Sequence, residues 1–165
     1  NLGDSFVGLQ VLKNKIKVKR KIGDYFISKY YRPDLQINFT KTLLKYANSS
    51  IDISDGLVDD LEKMLNKQSL SYNLYKHDIP LSKQLKKLIK DKKLNKSNFI
   101  SNGDDYQVLF TASPYKHRII RNASKKLGVK VTKIGKIISG NKKSIIIDEK
   151  GKKIEIKNTG HIHRF

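Results

Sequence analysis

Oxygen-bearing side chains crowd one short part of the sequence, SIDISDGLVDDLEK at residues 50–63. Within it, Asp52, Ser54 and Asp55 lie where an apolar-alternating segment ends and a helical pattern begins after Gly56. Mg²⁺ is a hard cation that proteins hold through one or two carboxylates together with phosphate oxygens and water. A turn at a strand end, with carboxylates, a hydroxyl and open backbone amides, could serve both the metal and a phosphate group. One interpretation of the segment is therefore a magnesium and phosphate site.

The same residues also fit a plain helix N-terminus. Ser54 or Asp55 could accept the first free amide hydrogens of the helix, as N-cap residues do. Asp59, Asp60 and Glu62 would then be ordinary residues of the first turns, suited to the positive end of the helix dipole. From the residues alone, both interpretations remain open.

A second motif, NGDDY at residues 102–106, precedes an apolar segment that predicts a strand. Asn-Gly is a strong turn dipeptide, so the motif could simply form a tight turn. Alternatively, the flexible backbone of this turn could present Asp104 to a ligand.

Two histidines, His161 and His163, lie two positions apart in the C-terminal tail and would share one face of an extended tail. A metal pair is conceivable there. Because no third ligand lies nearby, the two histidines give only weak support for a metal site.

The chain of 165 residues is strongly basic, with 35 Lys and Arg against 15 Asp and Glu and a net charge of +20. Six cationic side chains fall within residues 13–21 and seven within residues 83–96. Clustered cations can bind phosphate backbones, whereas specific RNA binding usually adds stacking aromatic residues. No recognisable RNA-binding signature is present. Since Lys, Ile and Asn are abundant throughout, compositional drift explains the charge better than a nucleic-acid surface does.

The composition also narrows the class of protein. The absence of cysteine excludes disulfides and thiolate metal sites. No apolar run approaches the ~20 residues that span a bilayer, and no signal peptide is visible. We therefore expect a cytoplasmic protein with no membrane partner. The first residues, from Asn1, read as the middle of a domain, which suggests a piece of a longer protein.

Hydrophobic periodicity predicts alternating strands and helices, and hence mixed α/β layering. The expected helices lie at residues 3–14, 24–32, 36–48, 57–65, 81–94 and 113–127. The expected strands lie at residues 50–53, 69–75, 105–111 and 129–138, followed by a hairpin at residues 144–157.

Three further details can be tested by the structure. Residues 13–22 could form a strand with one cationic face or a solvated loop. The first helix could be capped by Asp4 or Ser5. The predicted helix at residues 36–48 has an apolar face made of Ile37, Leu43, Leu44 and Ala47.

Five segments together resemble the thiamine-monophosphate kinase family. SIDISDGLVDDL is similar to that family's ID-S-DGL--DL segment, and NGDDYQVLFTAS to its GGEDYELLFT strand. NLGDSFVGLQVL resembles its GTLGDSAAGL helix start, YYRPDLQI its RP turn, and TGHIHRF its C-terminal glycine-aromatic-histidine-phenylalanine pattern. All five occur in the family's order from Leu2 to Phe165, so their joint occurrence is far more specific than any one of them.

The resemblance implies the C-terminal half of a two-domain enzyme in the aminoimidazole ribonucleotide synthetase-related superfamily. Residues 1–165 would form an α+β domain, a mixed β-sheet layered with α-helices in an α/β/α arrangement. The N-terminal half, which in the family carries most of the metal-binding aspartates and forms the homodimer, is not in this sequence. The implied reaction moves the γ-phosphoryl group of ATP onto thiamine monophosphate, with Mg²⁺, and gives thiamine diphosphate. On this basis the isolated chain would be inactive.

The resemblance also assigns roles to single residues. Asp52 would bind one Mg²⁺ and Asp55 another, and Ser54 would contact ATP. Asp104 takes the place of the family's substrate-contacting Glu and is one methylene shorter. His161 aligns with the family's substrate-stacking aromatic residue.

Two other functions stay open at this stage. A superfamily relative such as selenophosphate synthetase, hydrogenase maturation factor or aminoimidazole ribonucleotide synthetase would share the fold and the use of ATP, but not the acceptor. A basic nucleic-acid-binding module is the alternative from a different class. The pairing of SDGL with DDYQVLF favours the thiamine enzyme.

Overall fold

Seven α-helices and six β-strands form the part of the chain that the computed structural model describes, which is residues 1–66, 68–140 and 143–154. The helices are α1 (Asp4–Leu12), α2 (Arg20–Tyr31), α3 (Thr40–Tyr46), α4 (Leu57–Leu65), α5 (Lys83–Asp91), α6 (Ser97–Ile100) and α7 (His117–Leu127). The strands are β1 (Ser49–Ile53), β2 (Leu70–Tyr75), β3 (Gln107–Thr111), β4 (Gly135–Ser139), β5 (Ile145–Ile147) and β6 (Lys153–Ile154). Short 3₁₀ turns lie at Ile37–Phe39, Lys76–Asp78 and Pro114–Lys116.

Strands β1 and β3 form an antiparallel pair in which Ile53 lies opposite Gln107. In an antiparallel pair the end of one strand lies beside the start of the other. The last residue of β1 leads into the turn at residues 54–56, and the first residue of β3 follows the turn at residues 102–106. The pairing therefore brings the two motifs singled out in the sequence to one end of this sheet.

The other four strands form a second sheet in the order β4-β2-β5-β6. Strands β2 and β5 run parallel, whereas β2 with β4 and β5 with β6 run antiparallel. The sheet is thus mixed, and helices accompany both sheets. The α+β fold class is confirmed.

Helix α4 shows why the hydrophobic pattern located it well. Apolar residues recur at a helical period, and Leu57, Val58, Leu61 and Leu65 are all buried. The buried face packs into one hydrophobic cluster that draws on most of the elements. Its most deeply buried apolar members are Val7, Phe26, Leu57, Val58, Leu74, Ile79 and Leu85.

Helix α2 begins at Arg20, so the expected start at Asp24 is wrong. Residues 13–22 are not a strand, and they are a loop only as far as residue 19, because the last three belong to α2. Ile22 packs against the core and Phe26, four residues later, is fully buried. These two side chains extend the apolar face of the helix by one turn toward its N-terminus. The cationic residues 13–19 precede the helix as turns and irregular chain.

The apolar face predicted for residues 36–48 is wrong in part. Ile37 is 72% exposed and Leu44 is 83% exposed, while Phe39 and Thr42 are buried. The segment starts as a 3₁₀ turn, which has three residues per turn, and continues as α3. The change in winding moves the buried positions, and the ring of Phe39 lies 6.1 Å from that of Phe110.

Most of the remaining predicted elements are present, although α6 (Ser97–Ile100) was not predicted. Ser82 caps α5 by accepting a hydrogen bond from the Leu85 amide at 3.0 Å. Helix α7 ends at Gly128, whose φ of 64° is left-handed, as expected of a C-terminal glycine. The strand predicted at residues 129–138 is shorter and is limited to β4. Across the described residues, no helix is long and apolar enough to cross a membrane.

Candidate active site

The turns at residues 54–56 and 102–106 are hydrogen-bonded to each other. The Asp104 amide donates to the carbonyl of Ser54 at 2.9 Å, and the Tyr106 amide donates to the carbonyl of Ile53 at 2.9 Å. Asp104 itself adopts a left-handed backbone, with φ of 68°. Two motifs that lie about fifty positions apart in the sequence therefore form one structural unit.

The contact between the turns is so close that it requires glycine on both sides. A Cβ atom on Gly103 would lie 1.7 Å from the carbonyl oxygen of Ser54. A Cβ atom on Gly56, where φ is +136°, would lie 2.5 Å from the carbonyl oxygen of Ser101. The backbones can approach this closely only because neither glycine carries a side chain.

A single carboxylate, that of Asp60, organises the turn before α4. Its Oδ2 atom accepts hydrogen bonds from the amides of Ser54, Asp55 and Gly56, at 2.9, 2.9 and 3.2 Å. Asp60 is only 1% exposed. Charged acceptors make strong hydrogen bonds with backbone amides, so this carboxylate fixes the position of the turn.

This arrangement corrects two expectations from the sequence. The backbone amides of the turn are not open to a phosphate group, because Asp60 already accepts from them. Asp60 is also more than an ordinary residue suited to the helix dipole. A sequence signal existed, since the carboxylate lies four positions after Gly56, one helical turn into α4.

A cation already lies among the acidic residues of this turn. The Lys63 ammonium donates a hydrogen bond to Asp55 Oδ2 and lies 3.1 Å from Asp60 Oδ1 and 3.6 Å from Asp59 Oδ2. Hydrogen bonding to Asp55 is the main cause that raises the pKa of Lys63 above its usual value, despite some desolvation. The position beside Asp55 therefore favours a positive charge.

The structure brings Ser54, Asp55 and the Asp104 turn together, and Asp52 lies two residues earlier on β1. Asp52 is exposed, whereas Ser54, Asp55 and Asp104 are half-buried. Oxygen donors of this kind suit a hard cation such as Mg²⁺. Among residues 1–66, 68–140 and 143–154, no group of three acidic or histidine side chains is placed to hold a metal ion. This turn could thus supply only part of a metal site.

His161, the residue expected to contact the substrate, lies outside the described residues, as do His163 and Phe165.

A second buried carboxylate was missed by the sequence reasoning. Asp105, only 4% exposed, accepts hydrogen bonds from the amides of Gly3 and Ser5 at 2.5 and 3.3 Å, and so holds the start of α1. Burial raises the pKa of Asp105 to about 7, although the two amides oppose that shift. Its partners lie a hundred positions away, so no local pattern in the sequence could reveal it.

Asp4 does not cap α1 in the way the sequence suggested. Its carboxylate accepts hydrogen bonds from the hydroxyls of Tyr25 at 2.9 Å and Ser82 at 2.7 Å. These contacts tie α1 to α2 and to the start of α5. Burial raises the pKa of Asp4 as well, against the effect of both hydroxyls.

A cavity of about 1310 Å³ lies next to these turns, since Ile53 and Gln107, which flank them, line it. Its walls come from both sheets, from α4 and α7 and from the segment before β4, and none of Asp52, Ser54, Asp55 and Asp104 lines it. The walls include Leu61, Leu65, Tyr72, Leu109, Ile120 and Ile134. The side chains that the sequence singled out therefore do not line this cavity, although its walls also carry polar and cationic side chains such as His117, Arg121 and Lys133.

Comparison with known proteins gives a consistent result. No model of a protein family matches the chain. Thiamine-monophosphate kinase of Buchnera aphidicola subsp. Schizaphis graminum is 37% identical over 165 residues, which cover 99% of this chain and 50% of that protein. The chain spans about half the length of the curated relatives it matches. The resemblance to thiamine-monophosphate kinase is confirmed.

Solved structures agree. The structure of AaThiL complexed with AMPPCP and TMP is 29% identical, with a TM-score of 0.76, and the match covers 98% of this chain and 49% of that one. HypE of E. coli, a hydrogenase maturation protein, superposes with a TM-score of 0.69 over 96% of this chain and 47% of that one. At 12% identity, the HypE match shows a shared fold alone.

Proposed function

We propose that this chain forms the C-terminal half of a thiamine-monophosphate kinase, which transfers the γ-phosphoryl group of ATP to thiamine monophosphate and so forms thiamine diphosphate. The observation that carries the proposal is the joining of the SDG and NGDDY turns by two backbone hydrogen bonds. Both turns belong to segments that resemble the same family, and the chain matches curated thiamine-monophosphate kinases over nearly its whole length.

In this proposal the SDG turn serves ATP and magnesium. Asp52 and Asp55 hold Mg²⁺, and Ser54 contacts ATP. Phosphoryl transfer depends mainly on positioning and on neutralising charge, which bound Mg²⁺ supplies at the phosphate oxygens. The oxygen donors on the turn and the cation beside Asp55 support this assignment. Asp60 acts indirectly, because its bonds to three amides fix where Ser54 and Asp55 lie.

The substrate contacts fall on the second turn and on the tail. Asp104 faces thiamine monophosphate in place of the family's Glu, and His161 takes the position of its aromatic residue. The hydrogen bond from the Asp104 amide to Ser54 supports a common site, because it ties the substrate turn to the nucleotide turn. The relative AaThiL, complexed with AMPPCP and TMP, is the structural neighbour that supports ATP and this acceptor.

The rest of the site lies in another half of the protein. Among the described residues no complete metal site forms, and the chain covers half of its relatives. A homodimer formed through an N-terminal half, and a place in the cytoplasm, belong to the same proposal.

The proposal is tested by incubating the full-length protein with radiolabelled ATP, Mg²⁺ and thiamine monophosphate. We expect labelled thiamine diphosphate, and none when Mg²⁺ is chelated. Transfer to another acceptor, such as selenide, would instead indicate a different member of the superfamily. The 165-residue chain alone should give no product. Product formation by that chain would contradict the division of the site between two halves.

A salt-sensitive shift of a generic RNA, unaffected by ATP and Mg²⁺, would favour the nucleic-acid module.

A further inference from the structure

We propose that the large cavity of this domain binds a linear aliphatic acid, whose hydrocarbon chain lies against the apolar walls and whose carboxylate pairs with Arg121. The inference goes beyond the proposed function, because none of Asp52, Ser54, Asp55 and Asp104 lines the cavity. It assigns to the chain a second binding site, for a ligand of a different chemical class.

The walls of the cavity are mainly aliphatic. They include Leu61 and Leu65 of α4, Leu109 of β3, Ile120 of α7 and Ile137 of β4. The volume of about 1310 Å³ exceeds the about 300–1,000 Å³ that is typical of small-molecule sites. Contact between water and so much apolar surface is unfavourable. A hydrocarbon chain that displaces this water would therefore gain free energy of binding.

The interior offers no unpaired polar group to a ligand. Among the described residues, every buried side-chain nitrogen or oxygen atom has a hydrogen-bond partner. On the cavity walls, for example, Ser49 Oγ lies 2.7 Å from Thr111 Oγ1, and the Tyr72 hydroxyl donates to Glu62 at 3.0 Å. A polar ligand body would give up its hydrogen bonds to water without finding buried groups to replace them. The interior therefore favours an aliphatic body.

The charged side chains of the walls all carry positive charge. They are Arg121, Lys130, Lys133 and Lys136, and no Asp or Glu belongs to the walls in the part of the chain that the structure describes. All four are exposed, and none takes part in an ion pair with another described residue. An anionic head group at the edge of the cavity would thus meet complementary charge without displacing an acidic partner.

Arg121 is the cation best suited to a carboxylate. It lies four positions after His117 on α7, so the two side chains share one face of the helix, and both line the cavity. The neighbouring Ile120 is buried and lines it too. A guanidinium binds a carboxylate through two parallel hydrogen bonds, whereas a lysine ammonium acts as a point charge. The geometry therefore favours Arg121 as the partner of the head group.

The test titrates decanoate into the 165-residue chain and measures binding by calorimetry. Decylammonium, with the same chain length and the opposite charge, is the matched control ligand. We expect one saturable site for decanoate and binding of decylammonium that is about tenfold weaker, because attraction to Arg121 becomes repulsion. Octanoate should bind about fifteenfold more weakly than decanoate, since each buried methylene changes affinity about fourfold.

Backbone amide NMR of the same titration locates the ligand. The amides of Leu109, Ile120 and Ile137 should shift with decanoate. Helix α5 provides the internal control, because its exposed face carries Lys83, Lys86, Lys87 and Lys90 and no residue of α5 lines the cavity. Its amides should stay still, whereas binding driven by net charge alone would shift them.

Two variants on α7 separate a specific ion pair from a general effect of charge. Arg121→Gln should weaken decanoate binding about two- to fivefold, the change that matches one exposed ion pair. Arg118→Gln removes the same charge from an exposed position on the same helix that does not line the cavity and takes part in no ion pair among the described residues. It should leave the affinity unchanged.

The proposal is overturned if decanoate shows no saturable binding, if decylammonium binds as tightly, or if the amides of α5 respond as strongly as those of the walls. It is also overturned if Arg121→Gln has no effect or has the same effect as Arg118→Gln. None of these outcomes bears on the formation of thiamine diphosphate by the full-length protein, so the kinase proposal stands or falls by its own assay.

Discussion

In two parts of this domain, one buried carboxylate accepts hydrogen bonds from the backbone amides where a helix begins. Asp60 accepts from three amides of the turn before α4, and Asp105 accepts from two amides at the start of α1. The two carboxylates differ in their surroundings. Asp60 has a lysine one turn along its own helix, whereas Asp105 takes part in no ion pair among the described residues and lies near the buried carboxylate of Asp4.

The difference shows how neighbours decide what a capping carboxylate can do. Burial raises the pKa of Asp105 to about 7, against the two amides and the N-terminal ammonium, so we expect this end of α1 to respond to pH near neutrality. The cation beside Asp60 also reaches Asp55, so one ammonium group joins two carboxylates of this turn. Residues 104 and 105 join the two regions. The Asp104 amide donates to the Ser54 carbonyl in the turn before α4, and the Asp105 carboxylate accepts from the Gly3 amide at the start of α1.

Gly103→Ala should have the largest effect, because it disturbs the connection between both regions. The new Cβ atom would meet the Ser54 carbonyl oxygen at 1.7 Å and break the Asp104 hydrogen bond. We expect the free energy of unfolding to fall by about 4 kcal/mol, from overpacking and one lost hydrogen bond. Urea denaturation measures it. Gly140→Ala, whose new Cβ would lie more than 4 Å from the other described residues, is the control and should lose only about 1 kcal/mol. Equal losses would contradict the close contact.

Asp60→Ala should come next and should affect mainly the turn before α4. Three amides lose their acceptor, and at about 1 kcal/mol for each hydrogen bond the free energy of unfolding should fall by about 3 kcal/mol. Amide hydrogen exchange should speed up at residues 54–56 more than at the start of α1. If exchange rose equally in both places, the two regions would not be separate units.

The third prediction concerns the pH dependence that Asp105 gives to α1. Because the folded state holds the Asp105 proton up to about pH 7 and the unfolded state releases it near 3.8, the folded state binds more protons between these values. Stability should therefore decrease as pH rises, by about 2 kcal/mol between about pH 5 and pH 7. In Asp105→Asn this decrease should shrink, with a remainder from Asp4, whose pKa is raised as well. An unchanged slope in urea titrations across this range would contradict the assignment.

Lys63→Met should have the smallest effect on stability. Exposed ion pairs contribute about 0.2–1 kcal/mol, so the free energy of unfolding without Mg²⁺ should fall by less than about 1 kcal/mol. The loss should fade at high salt, because salt screens exposed charges. Lys87→Met removes the same charge from an exposed position on α5 that takes part in no ion pair among the described residues, and it should show neither effect. A large, salt-independent loss would mean that Lys63 is a fixed part of the turn and not a weakly paired surface cation.

The sequence predicted the elements where one apolar face governs the structure. Helix α4 was located to its terminal residues because its apolar positions keep one helical period. The same reasoning wrongly placed Ile37 and Leu44 on the buried face. The segment starts as a 3₁₀ turn, which changes its winding, and no residue type in the sequence predicts that turn. Helix α2 begins before Asp24. The prediction missed its first turn because most residues there are charged, although Ile22 packs against the core.

For the site, the motifs were visible but their supports were not. The Ser54–Asp55 turn and Asp104 stood out as short motifs, and the pairing of β1 with β3 brings them together. The roles of Asp60 and Asp105 depend on which amides their carboxylates reach, and for Asp105 these lie a hundred residues away. Such partners come from tertiary structure and have no local signature.

The most direct test of the account is the turnover of Asp52→Asn in the full-length protein, assayed as thiamine diphosphate formation and expressed per folded molecule. Asp52 is exposed on β1, so the variant should unfold within about 0.5 kcal/mol of the parent. If Asp52 holds Mg²⁺, turnover should fall by about 100-fold or more, at least the loss seen when groups that support metal ligands are removed. Parent-like turnover per folded molecule, with any loss explained by unfolding, would contradict the account.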